Sequence, residues 1–247
     1  MAARRLAMSW FGLSVVMMSE KLQSRARRKA EMAARMAARH LPEGLPPAFF
    51  LTDPARTPQP EAIVAGLPAG WGVIYRHFGA PDRETVARRL LKICRARKLV
   101  FLIGADAALA AKVGADGVHW PGRMAGQARK WRGRFRLQTM SGHLGDKSLH
   151  SVALPIKAVL FSTVFASRSA SAGTAMGAPR FRRLATSLPF PVYALGGVNP
   201  DSGLSIAKSA GLAAIDGWVC FSVRKRDAES KTAPHEAPHK PSGFSEL

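Results

Sequence analysis

The stretch Tyr193–Gly217, YALGGVNPDSGLSIAKSAGLAAIDG, decides how the chain is read. An apolar run ends in Gly196-Gly197, and a helix-type segment opens at Asn199-Pro200. A second apolar run follows, ending at Asp216. Proline near the first helical position and glycine beyond the last are the expected asymmetry of a helix between strands. Strand, helix and strand in about 25 residues make a βαβ unit, whose two strands lie parallel. The Gly-Gly pair has two readings of equal standing. It is a tight turn that needs left-handed backbone, or a bare stretch of peptide N–H groups to which an anion can come close.

The same alternation extends upstream. Apolar runs at 48–53, 72–78, 98–104, 117–120, 136–143, 158–165, 191–197 and 212–218 give eight candidate strands. Polar or helix-type segments separate them. The clearest is 82–98, with Asp82 as a cap, Glu84 in the first turn, and Val86, Leu90, Ile93 and Arg97 along one side. An Ala-rich helix ends at Gly114. Apolar strands alternating with helices predict a parallel sheet covered on both faces, and eight units predict an α/β fold, a (β/α)8 TIM barrel over residues 48–223. No helix follows the eighth strand. Residues 20–41 form a basic helix with Leu22, Ala26, Ala30, Ala33, Ala37 and Leu41 on one face. This extra N-terminal helix, in an extension over residues 1–47, is expected to fill the vacant place. Residues 224–247 are polar and proline-rich without a period, and are expected to be a disordered tail.

The chain has 247 residues, 47% of them hydrophobic, enough for a full core. Two cysteines without metal-type spacing argue against a disulfide scaffold and against a zinc site. The net charge is +21, and residues 48–223 hold 23 Lys and Arg against 9 Asp and Glu. The excess therefore lies on the body of the protein, where it favours anionic ligands. Residues 6–18 are apolar but too short to span a bilayer, and no small-residue cleavage site follows. A cytoplasmic protein without membrane association is expected, with Met17 or Met18 as an alternative start. Residues 123–136 interleave basic residues with Trp131 and Phe135, a pattern compatible with nucleic acid. A solvated outer helix explains them equally, and nucleic-acid binding ranks below a small-molecule role.

In a barrel of this kind the site lies at the C-terminal ends of the strands, and phosphate sits at the loops after strands seven and eight. Those ends carry Arg76-His77, His119, His143, Ser167-Arg168-Ser169, Gly196-Gly197 and Asp216.

LTDPAR (51–56), GADGVHW (114–120), VFASRS (164–169) and the opening stretch, in this order, resemble the thiamine phosphate synthase/TenI family. The likeness covers residues 48–218. It implies a TIM barrel, often a homodimer, that takes a small phosphorylated heterocycle such as thiazole phosphate or thiamine phosphate. The synthases of that family join thiazole phosphate to a pyrimidine diphosphate with Mg²⁺. TenI-type members isomerise a thiazole ring by acid/base chemistry.

Of the synthase pattern Gln-x-Arg-x-Lys at strand two, only Arg76 is kept. Gly104-Ala105 stand where an Asn-Asp pair is expected, and WPGRMAG supplies no second carboxylate. Ala166-Ser167-Arg168-Ser169-Ala170 keep hydroxyls but no lysine, and Asp216 replaces a serine. The resemblance therefore implies the tautomerase side of the family, with His143 as acid/base and Arg76 beside it. Ser167, Arg168, Ser169, Gly196, Gly197 and Asp216 are left for substrate and phosphate, and no metal ligand is assigned. Mg²⁺ enters only if synthase activity is retained. His77 is a candidate second titrating group, and Phe78 or Trp120 a candidate wall for the ring. The alternative is a barrel that binds thiamine phosphate as a sensor or carrier without turnover.

Overall fold

A computed structural model describes residues 2–169 and 172–223, with side chains from residue 19 onward except 147 and 148. Eight parallel strands close into a barrel in chain order: β1 (Ala48–Leu51), β2 (Gly72–Tyr75), β3 (Val100–Gly104), β4 (Gly117–Trp120), β5 (Leu137–Gly142), β6 (Ala158–Phe161), β7 (Val192–Ala194) and β8 (Gly211–Ala214), with β8 pairing back to β1. All eight predicted strands are present. Most are shorter than predicted, because the apolar runs continue into the loops that leave the barrel top.

The strands alternate between two apolar layers. Phe49, Leu51, Ile74, Leu102, Leu160 and Tyr193 fill the lumen. Phe50, Val73, Tyr75, Phe101, Ile103 and Val118 face the helices. This is the two-residue period of a strand buried on both faces. The lumen floor is closed by Phe49 and Tyr193, edge to face at 5.0 Å, with the Tyr193 hydroxyl donating to the Pro46 carbonyl at 2.6 Å. A side chain on Gly72 or Gly211 would run into these two rings.

The outer layer holds α2 (Pro60–Val64), α3 (Arg83–Ala96), α4 (Ala107–Val113), α5 (Ala125–Lys130), α6 (Gly177–Ser187) and α7 (Pro200–Ile206). Asp82 stands at the start of α3 without a side-chain cap bond, whereas Gly114 ends α4 in left-handed backbone as expected. Gly211 lies in β8 and not at a helix end; α7 stops at Ile206. Two connections lack an α-helix. Between β5 and β6 only a 3₁₀ turn at Lys147–His150 remains, and buried Leu149, Leu154 and Ile156 cover the barrel wall there. After β8 comes a 3₁₀ turn at Asp216–Phe221.

The place beside α7 and β8 is taken by α1 (Ala2–Ala38), which continues through the predicted basic helix toward the N-terminus. It docks by Ala30, Ala33, Ala34 and Ala37, all buried, while Leu22 is 62% exposed and lies off the contact. Gln23 Nε2 donates to the carbonyls of Cys220 and Ser222, at 2.9 and 3.2 Å, and the Arg27 guanidinium does the same at 2.5 and 3.1 Å. These bonds satisfy acceptors that a longer final helix would have used internally. Lys29 pairs with Asp201 on α7. The expectation of a disordered tail at 224–247 lies outside the described residues. No helix among the described residues is long and apolar enough to cross a membrane.

Ala33 sits opposite Gly203 of α7, 3.7 Å from where a Cβ on that glycine would lie. Ala33→Leu should therefore destabilise the fold by about 1–3 kcal/mol in urea unfolding, because the helices have no room to separate without losing the rest of the contact. Leu22→Ala, on the exposed face, should change stability by less than about 0.5 kcal/mol.

Candidate active site

Beyond the end of β2 the alternation continues. It turns Arg76 toward the lumen and His77 toward the helices. The same parity sends His119 inward and Trp120 outward. His77 accordingly packs on the Tyr75 ring at 4.9 Å and lies outside the cleft described below. The Trp120 indole is buried outside the barrel and donates to Gln138 Oε1 at 2.7 Å. Phe78, 57% exposed, lies under the Arg83 guanidinium at the β3 rim. The expectations of a second titrating group at His77 and of a ring wall at Phe78 or Trp120 are thus corrected. His77 and Trp120 face the helices, and none of the three lines the cleft described below.

The remaining candidates converge. A cleft of about 450 Å³ opens at the C-terminal ends of the strands, and Arg76, His143, Ser167, Arg168, Ser169, Gly196, Gly197 and Asp216 all line it. Gly196 and Gly197 have φ of +88° and +64°. Added Cβ atoms there would fall 2.9 Å from Thr163 Cγ2 and 2.3 Å from the Ala166 carbonyl oxygen. So the tight-turn reading of the pair holds. Their N–H groups donate no hydrogen bond among the described residues, and both residues line the same cleft, so the second reading stays open beside it. The first amides of α7 are already used: Asn199 Oδ1 accepts from Asp201 and Ser202, and the Ser202 hydroxyl accepts from Asn199 N–H in return.

Charge alternates around the rim. The Asp216 carboxylate accepts from Arg56 Nε at 3.0 Å, from Arg56 Nη2, and from Arg168 Nη2 at 3.3 Å. Asp53 Oδ1 accepts from the amides of Ala55 and Arg56, both at 3.1 Å, and fixes the turn that carries Arg56. Its Oδ2 lies 3.6 Å from Arg76 Nη2. Arg76 Nε also donates to the Thr52 carbonyl at 3.2 Å. Burial pulls the Arg76 guanidinium below its usual range, and nearby Arg56 adds to that pull, against support from Asp53. Arg56 also lines the cleft although it was not a candidate from the sequence. Its signal was the LTDPAR motif, whose Asp-Pro turn aims position 56 across the rim.

His143 stands on the loop after β5, its Nδ1 3.2 Å from the Ser162 carbonyl oxygen. The Ser162 hydroxyl lies 3.3 Å from the same nitrogen, and Nε2, which makes no hydrogen bond among the described residues, is the ring nitrogen left open to a ligand. His119 lies deeper in the lumen, Nδ1 2.9 Å from Thr139 Oγ1 and Nε2 2.9 Å from Ser141 Oγ. Burial first, and then the charge on Arg76, push its imidazolium down to about 3. It is a neutral strut beneath Ser141, which itself lines the cleft.

The donors at this rim do not suit Mg²⁺. Asp106, next to the end of β3, caps α4 through Oδ1 and pairs with Arg83 at 2.7 Å through Oδ2. Asp53 and Asp216 are also paired with arginines. Among the described residues no three His, Cys, Asp or Glu side chains are grouped to hold a metal.

The family model for thiamine monophosphate synthase matches residues 49–229, the whole barrel. The chain belongs to the thiamine monophosphate synthase (TMP-TENI) family. It is 30% identical over 190 residues to the thiamine-phosphate synthase of Alcanivorax borkumensis, covering 73% of this chain and 87% of that one. It is 31% identical over 155 residues to the thiamine-phosphate synthase of Thioalkalivibrio sulfidiphilus, covering 61% and 73%. It is also 27% identical over 150 residues to the Geobacter sulfurreducens thiamine biosynthesis bifunctional protein ThiED, covering 58% of this chain but only 30% of that longer protein. Among solved structures, the thiamine phosphate pyrophosphorylase of Pyrococcus furiosus superposes with a TM-score of 0.60 at 19% identity, over 76% of this chain and 98% of that one. That last likeness concerns the fold.

Two measurements test the geometry. Gly197→Ala forces left-handed backbone on a side chain that also meets a carbonyl, and should cost about 2–4 kcal/mol of stability in urea unfolding. His119 takes up a proton when unfolded at about pH 6.5 but when folded only near pH 3. Its contribution to stability is complete above about pH 6.5 and is lost as the pH falls toward 3, by up to about 1.4 kcal/mol per unit. His119→Asn should flatten the stability profile in that window, as read by denaturation at a series of pH values.

Proposed function

We propose that this family member binds a phosphorylated thiazole in the rim cleft and isomerises its ring by proton transfer. The observation that carries the reading is the meeting of two unlike devices in one cleft. Unpaired Gly196 and Gly197 amides and the arginines of the rim suit a phosphate, and an imidazole with an open Nε2 suits a ring proton. In the proposed step His143 Nε2 takes a proton from one ring atom and returns it to another. No electrons are gained or lost, and no group leaves. Arg76 steadies the charge that builds on the ring while the proton is away. Ser167 and Ser169 add hydroxyl donors for phosphate oxygens.

Joining the thiazole to a pyrimidine diphosphate places harder demands on the rim. The departing diphosphate needs several charges neutralised, and Mg²⁺ bound to protein carboxylates is the usual means. Here the nearby carboxylates are committed to arginines. The proposal therefore favours isomerisation over the named activity of the relatives.

The test is a melting-temperature screen with thiazole phosphate, thiazole carboxylate phosphate and thiamine phosphate, followed by proton exchange on the thiazole carboxylate. A ligand held by the folded state raises the melting temperature, by about 2.7 kcal/mol of stability at a hundred times its Kd. His143→Ala should leave that shift in place and slow isomerisation by about 10²–10⁴-fold. Full isomerisation by His143→Ala would refute the assigned role. A thermal shift without turnover would make the protein a binder, and thiamine phosphate formed from both precursors with Mg²⁺ would make it a synthase.

A further inference from the structure

Asp216 is a negative charge in the very part of the cleft that otherwise suits an anion. Left bare, it would repel a phosphate. It is not bare, because three guanidinium N–H groups converge on its two oxygens, two from Arg56 and one from Arg168. The two arginines reach it from different loops. Arg56 comes from the β1–α2 turn and is three-quarters buried, held by a fork of two bonds. Arg168 comes from the long β6–α6 loop, and its side chain is 86% exposed. Its one side-chain hydrogen bond among the described residues is the one to Asp216. The base of that loop is tied down, with Phe165 N–H bonded to the Gly196 carbonyl and Met176 N–H to the Thr163 carbonyl. Asp216 itself begins the 3₁₀ turn anchored by Trp218, whose indole donates to the Phe49 carbonyl at 2.9 Å.

We propose that Asp216 is a positioning residue, holding Arg56 and Arg168 in the cleft that Gly196 and Gly197 also line, so that it meets a phosphate with both guanidiniums already in place. The idea rests on reading the cleft as an anion site, and it names the group that builds it. A free arginine at 86% exposure must be ordered at the moment of binding, which lowers affinity. A carboxylate fixed to the barrel rim orders it beforehand. The triad still carries one net positive charge, so its field attracts the ligand. The exposed Arg168 is the member free to transfer a bond from Asp216 to a phosphate oxygen, while the forked Arg56 stays.

The test is a double-mutant cycle with inorganic phosphate as probe, read by calorimetric titration on the full chain. Asp216→Asn should weaken phosphate binding about tenfold although it removes a negative charge. Arg168→Gln should weaken it by about fivefold in the wild type, and by less than twofold when Asp216→Asn is already present. Asp216→Glu should recover most of the affinity. Melting curves check the fold, and Asp216→Ser replaces Asp216→Asn in the cycle if the latter does not fold. Phosphate binding that is unchanged or tighter in Asp216→Asn overturns the proposal. So does an equal cost of Arg168→Gln in both backgrounds, or a wild type that does not bind phosphate. The same coupling in a protein that leaves thiazole phosphates unchanged supports the positioning role and removes the isomerase reading instead.

Discussion

Everything at the top of this barrel depends on strand parity. In a closed parallel sheet each residue faces either the lumen or the helices, and a shift of one position exchanges the two sets. Because Ile74 is a lumen residue, Arg76 must be one, and His77 must join Tyr75 against the outer helices. His119, Thr139 and Ser141 form a polar column inside the lumen for the same reason. The aromatic floor of Phe49 and Tyr193 locks the register from below, since each ring needs a neighbouring glycine to lie flat against.

Above that column the rim behaves as one electrostatic object. Arg168, Asp216, Arg56, Asp53 and Arg76 follow one another with alternating sign from the sixth strand round to the second. Each carboxylate sits between two guanidinium-bearing residues, so the opening is positive without leaving any arginine unrestrained. The Gly196 and Gly197 turn and the His143 imidazole line the same cleft as this belt.

The eight strands were legible because buried parallel strands are uninterrupted apolar runs, and the site lies where those runs end in glycine, serine or histidine. Eight of the residues named from the chain as site candidates line one cleft, at the ends of those runs. Arg56 was not legible as a member. Its partner Asp216 is 160 residues away, and a single sequence carries no sign of which arginine a carboxylate will meet. His77 and Trp120 face the helices by strand parity, whereas Phe78, beyond the end of β2, turns to the Arg83 guanidinium and Gly104. The missing helix between β5 and β6 escaped notice because Leu149, Leu154 and Ile156 shield the wall with scattered side chains and leave no helical period to find.

The helix that seals the barrel beside β8 belongs to the opposite end of the chain. The bonds that seat it join residues separated by 193 to 199 positions. During synthesis this helix emerges early, yet its docking face has no counterpart until the final strand has left the ribosome. Its alanine stripe exposes little that is sticky in the meantime, which makes small residues there a safeguard during translation as well as a means of close approach.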